Sequence, residues 1–407
     1  MTTKTANPNI LNAAVIVAAL GYFVDIYDLL LFSIVRKPSL QSLGLDTLDN
    51  GIFLINMQMA GMLIGGILWG VLGDKKGRLS VLFGSIFLYS LANIANGMVH
   101  SLEAYAAWRF IAGIGLAGEL GAGITLVAEI LPKEKRGLGT MVVASVGLTG
   151  AVVAGFLAQV FDWRTCYFIG GGLGMALLLL RIGVSESGMF QQAVSKKEVS
   201  RGNFFSLFSN RKIFIRYMRC IMIGFPTWFT IGVLVTFSPE FAKALGVTET
   251  IVAGTAVMCA YAGLVFGDLL SGLLSQVLKS RIKVMFIFLS LSVLFTFIYL
   301  NAYGVSARTL YMLCFALGFS NGFWVIFVTI AAEQFGTNLR ATVTTTVPNF
   351  VRGALVFITL LFETFKAQYG ILTAGIIVGA ICLSVAFFFL YGMKETFHAD
   401  LDYLEEV

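Results

Sequence analysis

The sequence predicts an all-α membrane protein, with twelve transmembrane helices arranged as two pseudo-symmetric six-helix bundles. Three observations predict it. Hydrophobic residues make up 58% of the chain and charged residues 12%, with a mean hydropathy of +0.87; a soluble chain carries about a quarter charged residues. Apolar stretches of about 20 residues, enough to span a bilayer core, recur along the whole length. The chain also repeats itself. A-E-I-L-P-K-E-K-R-G holds Glu129 and Arg136, A-E-Q-F-G-T-N-L-R-A holds Glu333 and Arg340, and each residue lies 204 positions from its counterpart. Such a period marks a duplicated unit.

The helices fall at about 10–35, 52–73, 79–99, 102–130, 137–161, 163–185, 215–242, 249–278, 282–302, 306–335, 340–367 and 371–394. The longest polar stretch, 186–212, splits them six and six. The expected division is therefore a first bundle over 1–190, a linker over 191–212 and a second bundle over 213–407. Helix 1 is too long for the apolar core of a signal peptide, so no cleavable leader is expected. Twenty of the 28 Lys and Arg residues fall on the side that holds both termini, and six on the other. The positive-inside rule then puts both termini in the cytoplasm. The +6 net charge is a consequence of that topology and gives no support to nucleic-acid binding.

The five cysteines have no paired spacing and the two histidines, His100 and His398, are far apart. No metal site and no cofactor are expected. No phosphate-binding glycine loop precedes a helix in a soluble segment, which argues against an ATP-driven pump and against an enzyme of that kind.

Between helices 2 and 3 runs G-V-L-G-D-K-K-G-R-L-S-V-L, Gly70 to Leu82. Gly70 permits close helix approach, Asp74 suits a helix N-terminus and Arg78 suits carboxylates at neighbouring helix ends. This loop resembles the signature of the major facilitator superfamily, G-x-L-x-D-r-x-G-R. The second half holds a degraded copy, G-L-L-S-Q-V-L-K-S-R, with Gln276 at the aspartate and Arg281 one place late. The resemblance implies a conformational latch of Asp74, Arg78, Glu129, Arg136 and Glu186 in the first half, and of Arg281, Glu333, Arg340 and Glu395 in the second. The bland alternative is a set of surface ion pairs worth under about 1 kcal/mol each.

Charges in mid-helix point to function. Helix 1 reads G-Y-F-V-D-I-Y-D-L-L-L-F, with Asp25 and Asp28 on one face and Tyr27 between them. It resembles the first helix of the metabolite:proton symporters, G-x-x-x-E-W-Y-D-F, and the D-G-Y-D of the aromatic acid:proton symporters. Helix 4, R-F-I-A-G-I-G-L-A-G-E-L-G-A-G, is similar to the former family's R-x-x-x-G-x-x-x-G-G-E-x-G-G, with Ala117 for one glycine. Three carboxylates at mid-membrane, Asp25, Asp28 and Glu119, are the expected proton-coupling groups. Arg109 is a candidate counter-ion.

Helix 11 puts Arg352 near the midplane, just after Pro348 and Asn349. A guanidinium fork suits a substrate carboxylate; the competing expectation is an ion pair with Asp268 of helix 8. Tyr27, Trp228, Tyr261, Asn321, Trp324 and Asn349 complete the expected substrate site. Helix 5 has Ala151 where the superfamily's drug:proton antiporters carry a proline, which disfavours export.

The expectation is a monomeric proton symporter in a bacterial inner membrane. It would import a small carboxylate-bearing metabolite by alternating access, with the bilayer, the substrate and the proton as its partners. The alternatives are a proton-driven exporter of a drug or siderophore, and an uncoupled uniporter or exchanger.

Overall fold

The computed structural model describes residues 13–131, 133–182, 204–336, 339–397 and 405, without the side chains at 128–129, 133–138 and 341. All regular structure among them is helical. In a bilayer every backbone group must find its partner within the chain, and a helix achieves that alone. The first half contains α1 (Ala13–Ser42), α2 (Asp49–Lys76), α3 (Arg78–Asn96), α4 (Leu102–Leu116), α5 (Glu119–Ile130), α6 (Lys133–Val160) and α7 (Trp163–Leu180). The second contains α8 (Arg211–Met222), α9 (Phe225–Phe229), α10 (Ser238–Ala244), α11 (Ala253–Leu278), α12 (Arg281–Leu300), α13 (Ala307–Ser320), α14 (Trp324–Glu333), α15 (Arg340–Gly353) and α16 (Leu355–Tyr391).

Short polar residues start many of these helices. The side chains of Ser101, Asp162, Asn210, Ser280 and Ser306 each accept from a backbone N–H in the first turn that follows. Eleven described stretches are long and apolar enough to cross a membrane. The last, Thr342–Tyr391, has 50 residues and turns at Gly370, whose φ of 80° few other residues tolerate. It is long enough for two crossings, which makes twelve among the described residues. Phe156, Phe266, Phe297, Phe357 and Phe388 are exposed on the outside, as lipid contact requires.

Several expected single helices are broken. The fourth crossing divides into α4 and α5 at Ala117–Gly118, and the tenth into α13 and α14 at Asn321–Phe323. Ala117 and Asn321 are 204 residues apart, so the two halves break at equivalent points. The seventh crossing runs through α8 and α9, then a wide turn at Thr230–Val235, then α10. Pro239 starts the last segment.

Within each half two helices meet backbone to backbone. A Cβ at Gly61 of α2 would strike the Phe110 carbonyl of α4, and one at Gly263 of α11 would strike the Phe315 carbonyl of α13. Between the halves, α2 packs on α15 and α6 on α11.

Candidate functional site

The halves are bonded together at both ends. At one end Arg36 of α1 donates to Glu240 of α10 at 2.9 Å and to the Thr236 carbonyl at 3.4 Å. It also bonds the Thr47 carbonyl and lies 4.5 Å from the Phe237 ring centre. Lys37 adds a 3.6 Å contact to Glu240. At the other end Asp74 of α2 accepts from both the backbone N–H (3.0 Å) and the hydroxyl (2.5 Å) of Thr342 at the start of α15. Thr125 and Thr344 share a hydrogen bond across the halves at 3.0 Å. Asn349 donates to the carbonyl of Ala117, at the break in the fourth crossing, at 2.7 Å.

Between these closures lies a sealed polar centre. Arg352 of α15 is 1% exposed and Asp25 of α1 is 0% exposed. They face each other across the halves at 3.8 Å. One Arg352 nitrogen donates to Asn349 Oδ1 at 3.3 Å, and the guanidinium stands 5.9 Å from the Trp324 ring centre. Neither Asp25 oxygen accepts a hydrogen bond, and Arg352 Nε makes none. Tyr22 and Tyr261 lie within electrostatic reach of both charges. Trp228 sits on the same stripe as Gly224, which abuts Val351, and Gly232, which abuts Leu355. Trp228 itself is buried, with its indole N–H unpartnered.

The other buried carboxylates are engaged elsewhere. Glu119, the first residue of α5, forms a two-pronged pair with Arg181 at 2.7 and 2.6 Å and accepts from Ser85 at 3.2 Å. Arg181, at the end of the sixth apolar stretch, is fully buried and also donates to the Leu82 carbonyl. Asp28 points into the first half, beside Gly170, with Arg109 as the cation whose charge acts on it. Arg109 bonds Gln58 and lies over Phe32 and Tyr167.

Two expectations are corrected. Asp268 is not the counter-ion of Arg352: its Oδ1 accepts the Val325 N–H at 3.2 Å and so caps the broken helix α14, while Asp25 supplies the negative charge. Tyr27 does not line the centre: its hydroxyl donates to the Cys166 carbonyl of α7 at 2.9 Å, inside the first half. Asn321 donates to the Leu317 carbonyl and keeps one buried acceptor free at the break of the tenth crossing.

In the expected latch, Arg78 lies 3.7 Å from Asp74 and donates to the Gly73 carbonyl at 2.8 Å. Arg281 pairs with Glu333 at 3.2 Å, and Glu333 accepts from Thr396 at 2.7 Å. Glu395 meets the start of α12 through the N–H groups of Arg281 and Ile282 and the Ser280 hydroxyl, so it caps a helix and does not pair with the Arg281 guanidinium. Arg340 donates to the Ala332 carbonyl at 3.1 Å. Glu186 and the side chains of Glu129 and Arg136 lie outside the described residues.

The sequence profile of the Major Facilitator Superfamily matches residues 18–357. The niacin transporter NiaP of Acinetobacter baylyi is 30% identical over 159 residues, 38% of this chain and 36% of that protein. The sialic acid transporter NanX of Escherichia coli is 26% identical over 262 residues, 63% of this chain and 62% of that protein. The chain thus spans about a third to three fifths of these relatives' lengths. The crystal structure of a D-xylose-proton symporter superposes with a TM-score of 0.70 over 96% of this chain and 99% of that one, at 18% identity, and shares its fold. A profile match over most of the chain, together with its recurring apolar helices, gives one conclusion: the chain belongs to the Major Facilitator Superfamily.

Proposed function

We propose that the protein is a proton-coupled symporter that imports a small carboxylate-bearing metabolite by alternating access. The observation that carries this reading is Arg352. It is a permanent cation in the sealed centre, and its only described acidic partner stands beyond hydrogen-bond range. A buried guanidinium favours a carboxylate that fits its fork. The relatives point the same way, because niacin and sialic acid are both carboxylic acids. Asp25 and Asp28 are the proposed proton carriers; Glu119, held on both oxygens by Arg181, serves the fold. Trp228, Tyr261, Trp324 and Asn321 would line the substrate site. The membrane is a bacterial inner membrane, both termini are cytoplasmic, and the protein acts as a monomer.

The test is a thermal-shift panel of nicotinate, N-acetylneuraminate, proline and betaine, each beside its amide or ester, followed by uptake into proteoliposomes under a pH gradient. The free acids should stabilise the protein and the capped analogues should not. Arg352→Lys, which keeps the charge and loses the fork, should weaken binding about tenfold or more. Equal response to acids and amides, or uptake indifferent to the pH gradient, would remove the reading.

A further inference from the structure

We propose that Asp25 and the substrate's carboxylate take turns on Arg352, so that one proton must reach Asp25 for each carboxylate that binds. The proposal rests on the carboxylate-symport reading and adds a stoichiometry and a named proton acceptor to it.

The geometry of the pair comes first. At 3.8 Å, Asp25 balances the charge of Arg352 and fills none of its hydrogen bonds. A carboxylate seated on the guanidinium fork would gain bonds that Asp25 does not make, so displacement is favourable at the fork. It is unfavourable for Asp25, which would keep a negative charge in a closed, solvent-free centre with its cation taken. A buried charge stripped of its partner is strongly penalised. A proton on Asp25 removes that cost.

The neighbouring charges do not supply another route. Glu119 acts on Asp25 electrostatically, and Arg181 already neutralises it. Asp28 is one turn away and faces Arg109. Asp268 is held by the backbone of α14. Tyr22, Tyr89 and Tyr261 are the other ionisable groups that sense Asp25, and phenols are neutral at physiological pH. Among the described groups, Asp25 is the acid that the incoming carboxylate competes with directly.

The pair also joins the halves, since Asp25 belongs to α1 and Arg352 to α15. With no substrate and no proton, the centre is neutral and the empty carrier can close. With substrate and proton together it is neutral again. With either alone it holds an unbalanced charge and closure is penalised, so neither passes by itself. The charge moved per cycle is then the substrate's own charge plus one. A monoanion therefore moves without net charge.

The test is isothermal titration of the purified full-length protein with nicotinate and with N-acetylneuraminate, in two buffers of different ionisation enthalpy. Whichever probe binds should bring about one proton with it, and its affinity should fall as pH rises, because only the fraction protonated at Asp25 is competent. Asp25→Asn should bind the same probe without proton uptake, roughly tenfold or more tighter than wild type at high pH. It should also keep counterflow exchange in proteoliposomes and lose net uptake. Proton uptake that persists in Asp25→Asn, or that disappears in Asp28→Asn alone, would overturn the assignment. If Asp25→Asn does not fold, the wild-type titration decides, and probe binding without proton uptake overturns the exchange while the carboxylate reading stands. If neither probe nor any other acid of the panel binds, both fall together.

Discussion

Arg36 and Glu240 stand at equivalent positions of the two halves, 204 residues apart, and pair with each other at 2.9 Å. The duplicated positions thus meet across the boundary between the halves, one having become a base and the other an acid. Arg36 is fully buried, and its remaining contacts are the carbonyls of Thr47 and Thr236 and the ring of Phe237.

Glu240→Gln should therefore open that end. Removing one partner from a buried pair costs about 3–5 kcal/mol, and part-exposure of Glu240 puts this case at the low side. A cysteine placed at Thr236 should become reactive to an impermeant maleimide from that face in Glu240→Gln. The charge swap Arg36→Glu with Glu240→Arg should restore protection. Unchanged labelling in the single variant would show that the pair does not hold the end closed.

Asp74 and Thr342 should have the opposite effect. Thr342→Val removes the 2.5 Å hydroxyl bond and leaves the backbone bond. Its cost is about 1.5–3 kcal/mol, the range for losing a hydrogen bond to a charged group. Labelling from the Asp74 face should rise and labelling from the Arg36 face should fall. A variant that exposes both faces equally would indicate loosened packing, with no shift between states.

The Glu119–Arg181 pair should matter to stability more than to coupling. Glu119→Gln or Arg181→Gln alone should lower the melting temperature in detergent, for a loss of about 3–5 kcal/mol. Glu119→Gln combined with Arg181→Met should recover much of it, because no charge is then left unpaired. Proton-driven uptake by the stable double variant is the expected result; its loss would return Glu119 to the coupling carboxylates.

Glu395 gives a pH signature outside the membrane crossings. Burial pushes its carboxyl up, and the donors from Ser280, Arg281, Phe397 and Ile282 outweigh that, holding it below its ordinary value. A lowered folded value means stability that is complete above the unfolded value and is lost as pH falls through the folded one. Wild type should exceed Glu395→Gln in thermal stability at neutral pH, and the two should converge on the acid side of the ordinary glutamate range. A gap that persists in acid would point to packing instead of charge.

Much of the fold was legible because lipid imposes simple rules. Apolar runs of the right length gave the twelve crossings, and the 204-residue period gave the halves. Asp25, Glu119 and Arg352 stood out because a charge in such a run demands a reason. Their partners were harder. Arg181 sits at the end of its apolar run, where positive residues are ordinary, so nothing local distinguishes it from a loop cation; only the need of Glu119 for a cation hinted at it. Tyr27 sits between two acids in sequence, yet one step along a helix turns a side chain by about 100°, which carried it into the first half. The breaks at Ala117 and Asn321 lie within hydrophobic runs whose composition gives little warning. The pairing of Arg36 with Glu240 was present in the repeat offset itself, but required knowing that the two copies touch there.

The glycine contacts at Gly61 and Gly263 carry a consequence for the whole machine. A guanidinium that changes partners at the centre makes a small local movement. It can be felt at the far ends only if each bundle tilts as a stiff beam, and backbones in direct contact leave no slack to absorb the motion. Alanine at either position would wedge the beam apart and blunt its leverage. Such variants should still bind at the centre while failing to turn that binding into travel.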